Sequence, residues 1–122
     1  MTLAEKVMQC YNTNNFNGIS SILTPDCEYL SFWVFDTIVG NENIEEFLVA
    51  KSQAFEKANA YVTAKKVKNV EGIGVMEGQE CIALYQYNLE KPGCLCFLNI
   101  RDEKISRIHL ITHRMYQYEI VE

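Results

Sequence analysis

Two histidines are the residues in this sequence best suited to acid–base chemistry near neutral pH. His109 and His113 lie four residues apart in a stretch that alternates like a β-strand, so both side chains should point to one face. Asp36, which directly follows an aromatic run, is the carboxylate candidate for the same chemistry. We take Asp36 and His109 as catalytic candidates. The alternatives are turn capping for the aspartate and an interface or surface position for the histidine.

The five cysteines stand at positions 10, 27, 81, 94 and 96. An odd, unpatterned set is typical of reduced thiols that pack as small hydrophobic side chains. Cys94 and Cys96 beside the histidines raise the question of zinc, but they lack the usual loop of two to four residues between ligands, and no second cysteine pair follows. We therefore expect no metal site and no cofactor.

Aromatic side chains could bind a ligand, because tyrosine and tryptophan combine an apolar body with a hydrogen-bonding tip. Tyr29, Ser31 and Trp33 share one face of a predicted strand over residues 27–35, with core packing as the alternative role. Tyr85 and Tyr87 also share a face with each other.

The register after Tyr87 stays open at this stage. A four-residue loop over 90–93 puts the tyrosines on the face of Cys94 and Cys96. A three-residue loop instead points Gln86 and Asn88 to that face.

The elements that must position these residues follow from capping signals and hydrophobic periodicity. Thr2 and Glu5 form a capping box that predicts a first helix, and a second short helix ends at Pro25. Gly40-Asn41 opens a third helix, near whose end Lys51 suits the helix dipole. Four segments then alternate like antiparallel strands, at 61–70, 80–89, 95–100 and 104–116.

Composition limits the class of protein. A chain of 122 residues is one domain, 1–122, and a net charge of −5 argues against non-specific nucleic-acid binding. Lys65, Lys66 and Lys68 are interpreted as a solvated strand edge. The start, MTLAEKVMQCY, lacks the apolar core of a signal peptide, and no apolar run reaches the length of a membrane span. We expect a cytoplasmic protein with neither a membrane nor a nucleic-acid partner.

Three local signatures in this order of elements resemble the nuclear-transport-factor-2-like superfamily, in its SnoaL-like and ketosteroid-isomerase-like branches. The signatures are NNFNGI at 14–19, TPDCEY at 24–29 and GNENIEEF at 40–47. The resemblance implies an α+β, cystatin-like cone, with three N-terminal helices packed in a curved antiparallel sheet and a pocket at the open end. It also implies a homodimer through the outer sheet face.

The resemblance does not bring the family's catalytic groups with it. Aligned on those signatures, the isomerase's carboxylate base corresponds to Ser31, its oxyanion tyrosine to Val7 and its protonated acid to Cys96. The aspartate of the SnoaL-type cyclases corresponds to about Leu110. The same alignment points Ile108 and Leu110 inward and leaves His109 on the outer face.

The sequence therefore favours a small-ligand-binding protein with an apolar or aromatic pocket and a small apolar or aromatic ligand. The predicted ligand-binding residues are Tyr29, Ser31, Trp33, Tyr85, Tyr87, Cys96, Ile108 and Leu110. One alternative is an isomerase, cyclase or dehydratase that acts on a polyketide- or steroid-like carbonyl compound with a different acid–base set. Another is a scaffold that binds a protein.

Overall fold

The computed structural model describes residues 1–32, 34–72, 79–86 and 90–121, with the backbone alone at 34, 35 and 115. Its helices are α1 (Leu3–Thr13) and α2 (Asn41–Lys57), with short 3-10 turns at Ile19–Ile22 and His113–Met115. Its strands are β1 (Leu23–Ser31), β2 (Val34–Val39), β3 (Val62–Gly72), β4 (Glu80–Gln86), β5 (Cys94–Arg101), β6 (Lys104–Ile111) and β7 (Tyr116–Ile120).

The described strands form one sheet in the order β2-β1-β6-β5-β4-β3-β7. β1 runs parallel to β6, and the other neighbouring pairs are antiparallel. β3 is shared: residues up to Lys66 pair with β4, and residues from Val67 onward pair with β7. Helix α1 packs against β3 and α2 against β1. The result is an α+β architecture with the helices on one side of the sheet.

The capping box predicted for α1 is confirmed. Thr2 Oγ1 accepts a hydrogen bond from the Glu5 amide at 3.1 Å, and Glu5 Oε1 accepts one from the Thr2 amide at 3.1 Å. The helix ends at Asn14 in the left-handed conformation, and the Asn14 side-chain amide donates to the Ser52 carbonyl of α2 at 2.9 Å. The two helices are therefore tied together at this cap.

The expected second helix is a single 3-10 turn, so the structure has two α-helices among its described residues and not three. β1 already begins at Leu23 and runs through Pro25. The proline is tolerated because it lies between Leu23 and Glu28, where the β1–β6 register shifts and no regular ladder forms.

Two predicted strands are interrupted. The aromatic segment 27–35 breaks after Ser31, which pairs with Val34 across a β1–β2 hairpin. The segment 104–116 ends at Ile111, since Thr112 caps a 3-10 turn and accepts from the Arg114 amide at 3.5 Å. β7 then turns back to pair with β3.

Hydrophobic side chains separate into two clusters. The inner cluster lies between sheet and helices, and its fully buried members include Leu23, Ile44, Ile82, Leu98, Ile105 and Ile108. The outer cluster joins Ala83, Tyr85, Leu95 and Phe97 with partly buried side chains of β3, β7 and the end of β6, namely Val67, Val70, Ile111, Tyr116, Tyr118 and Ile120. Among the described residues, neither helix has the length and apolarity needed to cross a membrane.

Candidate functional site

A small cavity opens where the end of α1, the second half of α2 and the start of β5 meet. We call it the throat; its apolar lining is Tyr11, Phe55, Val62, Leu84, Cys94 and Leu110. Lys51, Gln86 and Gly93 complete the described lining. Its volume is about 20 Å³, which is room for about one water molecule. Residues behind it such as Tyr29 and Cys96 are fully buried, so the throat itself has no room for an organic ligand.

Lys51 is the charged residue at the throat. Its Nζ lies 6.0 Å from the ring centroid of Phe47 and 5.9 Å from that of Phe55, within range of cation–π attraction. Burial lowers the pKa of Lys51, and the neighbouring Cys94 opposes that shift. The sequence interpretation assigned Lys51 to the helix dipole and missed this position.

A signal for Lys51 was available in the helical period. Its position continues the apolar stripe of α2, four residues after Phe47 and four before Phe55. A lysine inside such a stripe packs its aliphatic stem against the core and carries its charge to the rim.

Tyr29 and Ser31 are buried. Tyr29 packs on Phe47 with 5.4 Å between ring centroids, and its hydroxyl makes no hydrogen bond of normal geometry to any described residue. Burial raises the pKa of Tyr29, and the nearby Tyr11 phenol acts on it in the opposite direction. Both predicted ligand-binding residues therefore sit in the core behind the throat, and their binding role stays a prediction.

Cys96, Ile108 and Leu110 belong to the inner cluster, and only Leu110 also lines the throat. Burial raises the pKa of Cys94 to about 12 and that of Cys96 well above its usual value. These thiols are protonated near neutral pH and are poor nucleophiles there. No group of three or more potential metal-ligating side chains occurs in the described part of the chain.

Tyr85, a predicted ligand-binding residue in one of the two registers left open by the sequence, lies on the outer face. Leu84 pairs with Cys94, and the Gly93 amide donates to the Leu84 carbonyl at 2.8 Å, which puts even-numbered residues of β4 on the inner face. Tyr85 consequently joins the outer cluster, and Gln86 lines the throat. Trp33, Tyr87 and Asn88 lie outside the described residues.

The two catalytic candidates are not brought together. His109 is paired opposite Phe97 of the outer cluster, and burial, followed by the Arg107 charge, lowers its pKa. Asp36 is exposed on β2, the strand at the end of the sheet order. Neither residue lines the throat, so the structure offers no shared cavity for their acid–base chemistry.

An open groove adjoins the throat, and we call it the rim groove. Its volume is about 470 Å³, and it is lined by Phe32, Gln86, Lys91, Pro92, Gly93, Thr112, His113 and Arg114. Gln86 and Gly93 line both spaces, so the throat opens directly beside the groove. The rim groove is the larger of these two spaces and carries most of their polar groups.

His113 reaches this groove because of the 3-10 turn after β6. Its Nδ1 lies 3.3 Å from the Tyr118 hydroxyl of β7, which orients the imidazole. The sequence interpretation ran one strand through both histidines and so put them on one face. The Thr112 cap that separates them could have been recognised, since a threonine that caps the amide two residues ahead is a turn signal.

Comparison with known proteins gave results at the level of structure alone: no family model matches the sequence, and no curated protein matches it significantly. A polyketide cyclase proposed for Sinorhizobium meliloti is 15% identical, with a TM-score of 0.63, over 89% of this chain and 93% of that one.

Two further structures have a TM-score of 0.65. An NTF2-like protein of unknown function from Mesorhizobium loti is 6% identical, over 98% of this chain and 88% of that one. A protein with a cystatin-like fold from Silicibacter pomeroyi is 10% identical, over 89% of this chain and 72% of that one. At such identities the similarity shows the fold: α+β and cystatin-like, with a curved sheet.

Proposed function

We propose that this protein, which has the fold of the NTF2-like proteins, binds a small organic molecule in the rim groove, with an apolar part of the ligand over the throat. The observation that carries the proposal is the continuity of the two spaces at Gln86 and Gly93. One space offers polar and basic side chains, and the other offers apolar ones. Small-molecule sites commonly combine these two kinds of surface.

Size decides where the ligand lies. Small-molecule sites typically span roughly 300–1,000 Å³; the rim groove, at about 470 Å³, falls in that range and the throat, at about 20 Å³, does not. The ligand therefore rests against Phe55 and Leu110 from outside. Tyr29, Cys96 and Ile108 would support such a site from behind as packed core residues.

Binding is better supported than catalysis at this site. The described lining of throat and groove contains no aspartate or glutamate, and the two thiols of the inner strand β5 hold their protons. His113 is the only histidine among the described lining residues, and histidine is the side chain most often used in acid–base catalysis. General acid–base catalysis commonly needs two such groups within reach of one substrate.

The homodimer expected from the resemblance remains our proposal for a macromolecular partner. The outer face of the sheet is partly covered by the chain's own β7, which packs on Phe97 through Tyr116. The outer side of β1 and β6, where Glu28 is exposed and His109 is half-buried, is the surface that we propose for a second copy. Light scattering should give twice the 14.1 kDa chain mass if such a dimer forms.

Ligand binding can be tested by a matched pair of substitutions at Gly93. A Cβ at this residue would meet only the Leu84 carbonyl oxygen, at an ordinary 3.8 Å, so Gly93→Ala should fold and bind. Gly93→Phe would fill the space between throat and groove. Small aromatic compounds are screened by thermal shift, where ligand at 100 times Kd adds about 2.7 kcal/mol of stability.

The expected result is a thermal shift for wild type and Gly93→Ala that Gly93→Phe loses while its ligand-free melting temperature stays within a few degrees. Equal shifts for all three proteins would place the ligand elsewhere. Such a result would end the proposal for this groove.

A further inference from the structure

Basic side chains are concentrated at the rim groove of an acidic protein. The chain carries a net charge of −5, yet Lys91, His113 and Arg114 line one groove whose described lining has no carboxylate. Glu90 precedes Lys91 in the sequence but is not among the lining residues. The described lining of the groove is therefore basic, although the whole chain is acidic.

The ion pairs between described residues lie elsewhere. They join Lys66 to Glu5 and Arg101 to Asp26, and neither includes Lys91 or Arg114. Among the described residues, neither cation is therefore in an ion pair and both can contact a bound group, although Arg114 also lines a second groove that includes Glu71. Arginine is well suited to this role, because its planar guanidinium offers two parallel N–H donors to a carboxylate.

The chain holds this basic set in place on both sides of the groove. Thr112 caps the 3-10 turn through the Arg114 amide, and Tyr118 lies within hydrogen-bond distance of His113 Nδ1. When the Tyr118 hydroxyl donates to Nδ1, the neutral imidazole carries its proton on Nε2 and can donate it to an anion. On the other side, Gly93 is hydrogen-bonded to Leu84.

Apolar surface borders the same groove. Phe32 is exposed there with half of its surface accessible, and Pro92 is buried beside it. The throat adds Phe55 and Leu110. A ligand that satisfies both surfaces carries an anionic group at one end and a compact apolar body at the other.

We infer that the rim groove selects small aromatic carboxylates, with the carboxylate held by Arg114, Lys91 and His113 and the ring against Phe32 and the throat. The inference rests on the proposed function and adds the charge and size of the ligand. A groove of about 470 Å³ accommodates a single-ring acid, and the negative net charge of the chain disfavours a polyanion such as nucleic acid.

The test uses three acids of graded length, benzoate, phenylacetate and cinnamate, each beside its neutral amide. Binding is followed by ¹H–¹⁵N NMR titration of the full chain at low salt, which reports Kd and the residues perturbed. The variants are Arg114→Gln and Lys91→Gln. Lys104→Gln is the matched control, because Lys104 is exposed at the β5–β6 hairpin, the opposite end of these strands.

We expect at least one acid to shift the amide resonances of Gly93 and Arg114 and to bind about tenfold more tightly than its amide. Arg114→Gln should weaken that binding about tenfold and Lys91→Gln about threefold, and Lys104→Gln should change it less than about twofold. Arg114→Lys should recover part of the loss, since it restores the charge without the two parallel donors.

Three other outcomes would each contradict a different part of the inference. Equal affinity for acids and amides would overturn the charge selectivity and leave the proposed binding site standing. Equal losses for Lys104→Gln and Arg114→Gln would show a general charge effect and overturn the three-residue clamp. If neither acids, amides nor the compounds of the thermal-shift screen perturbed the groove, both the inference and the proposed function would fail.

Discussion

The two faces of the sheet are covered by different means. On the inner face, aliphatic and thiol side chains such as Ile82, Cys96 and Ile108 pack under two helices and are almost entirely buried. On the outer face, aromatic residues such as Phe97 and Tyr85 are covered by strands of the same sheet, chiefly through half-buried tyrosines of β7. The inner face of the sheet is therefore fully covered, whereas the outer face is only partly covered.

This difference suggests that the inner cluster contributes most of the folding stability, whereas the outer cluster contributes less. Among the described residues, the closed inner cluster opens at the throat, which is too small for a ligand, and this is why we propose the rim as the binding surface. A partly open outer cluster leaves residues such as His109 half-buried and available for contact with another copy. Four perturbations test this contrast.

The largest effect is expected from truncation of the inner cluster. Ile108→Ala removes a side chain that is 2% exposed and should cost about 2–5 kcal/mol in the free energy of unfolding. His109→Ala, next along β6 on the outer face, should cost less than about 1 kcal/mol. Urea denaturation monitored by circular dichroism measures both. Similar costs at the two positions would show that the faces are not distinct.

Truncation of a side chain in the outer cluster should lower the free energy of unfolding by a smaller amount. Tyr116 packs on Phe97 with 5.1 Å between ring centroids and is half-buried, so Tyr116→Ala should cost about 1–3 kcal/mol. Gln117→Ala, exposed on the same strand, is the control and should be nearly neutral. Urea unfolding measures both variants. An unchanged midpoint for Tyr116→Ala would mean that packing of β7 on the outer face contributes little to stability.

Alkaline pH should destabilise the inner face through its thiols. A free thiol has a pKa near 8.5, whereas burial raises the pKa of Cys94 to about 12. Below about pH 8.5 both states keep the proton; between about 8.5 and 12 the unfolded state loses it first, so stability falls as pH rises.

One such thiol contributes a slope of at most about 1.4 kcal/mol per pH unit. Between pH 8.5 and 10, the free energy of unfolding should therefore fall less steeply with pH in Cys94→Ala than in wild type. Urea unfolding at each pH measures both slopes. Cys10→Ala is the comparison, because Cys10 is only half-buried. An identical slope in Cys94→Ala and wild type would contradict the assigned shift.

The smallest effect is expected at Tyr29. Its hydroxyl is buried without a hydrogen bond of normal geometry among the described residues, so Tyr29→Phe removes a polar group that gains little in the fold. Stability should stay the same or rise by up to about 1 kcal/mol in thermal unfolding. Tyr11→Phe is the companion variant. A loss above about 1 kcal/mol in Tyr29→Phe would reveal a bonded hydroxyl.

The predictable parts of this structure are those controlled by local signals. Thr2 and Glu5 cap α1 as expected, and alternation along β6 correctly separates Ile108 from His109. Tyr85 could not be placed because its orientation depends on the register across the β4–β5 connection, and one residue of register reverses every side chain.

The candidate site was harder to predict because it is assembled from the ends of elements. The alternating pattern continues past Ile111, where β6 ends, and so does not reveal the turn that carries His113. Lys51 fits the helix dipole equally well, and that fit does not reveal its place at the throat. Strand lengths and turn positions are the least certain features of a sequence pattern, and the rim groove depends on both.

The parallel pairing of β1 with β6 bears on how quickly the protein folds. Glu28 is aligned with Arg107, so this seam between the second and third strands of the sheet order joins segments that are remote along the chain. The β1–β2 and β5–β6 hairpins can close over short loops, whereas this seam must wait for a long loop to close. We expect refolding in milliseconds to seconds, limited by the docking of the first hairpin onto β6.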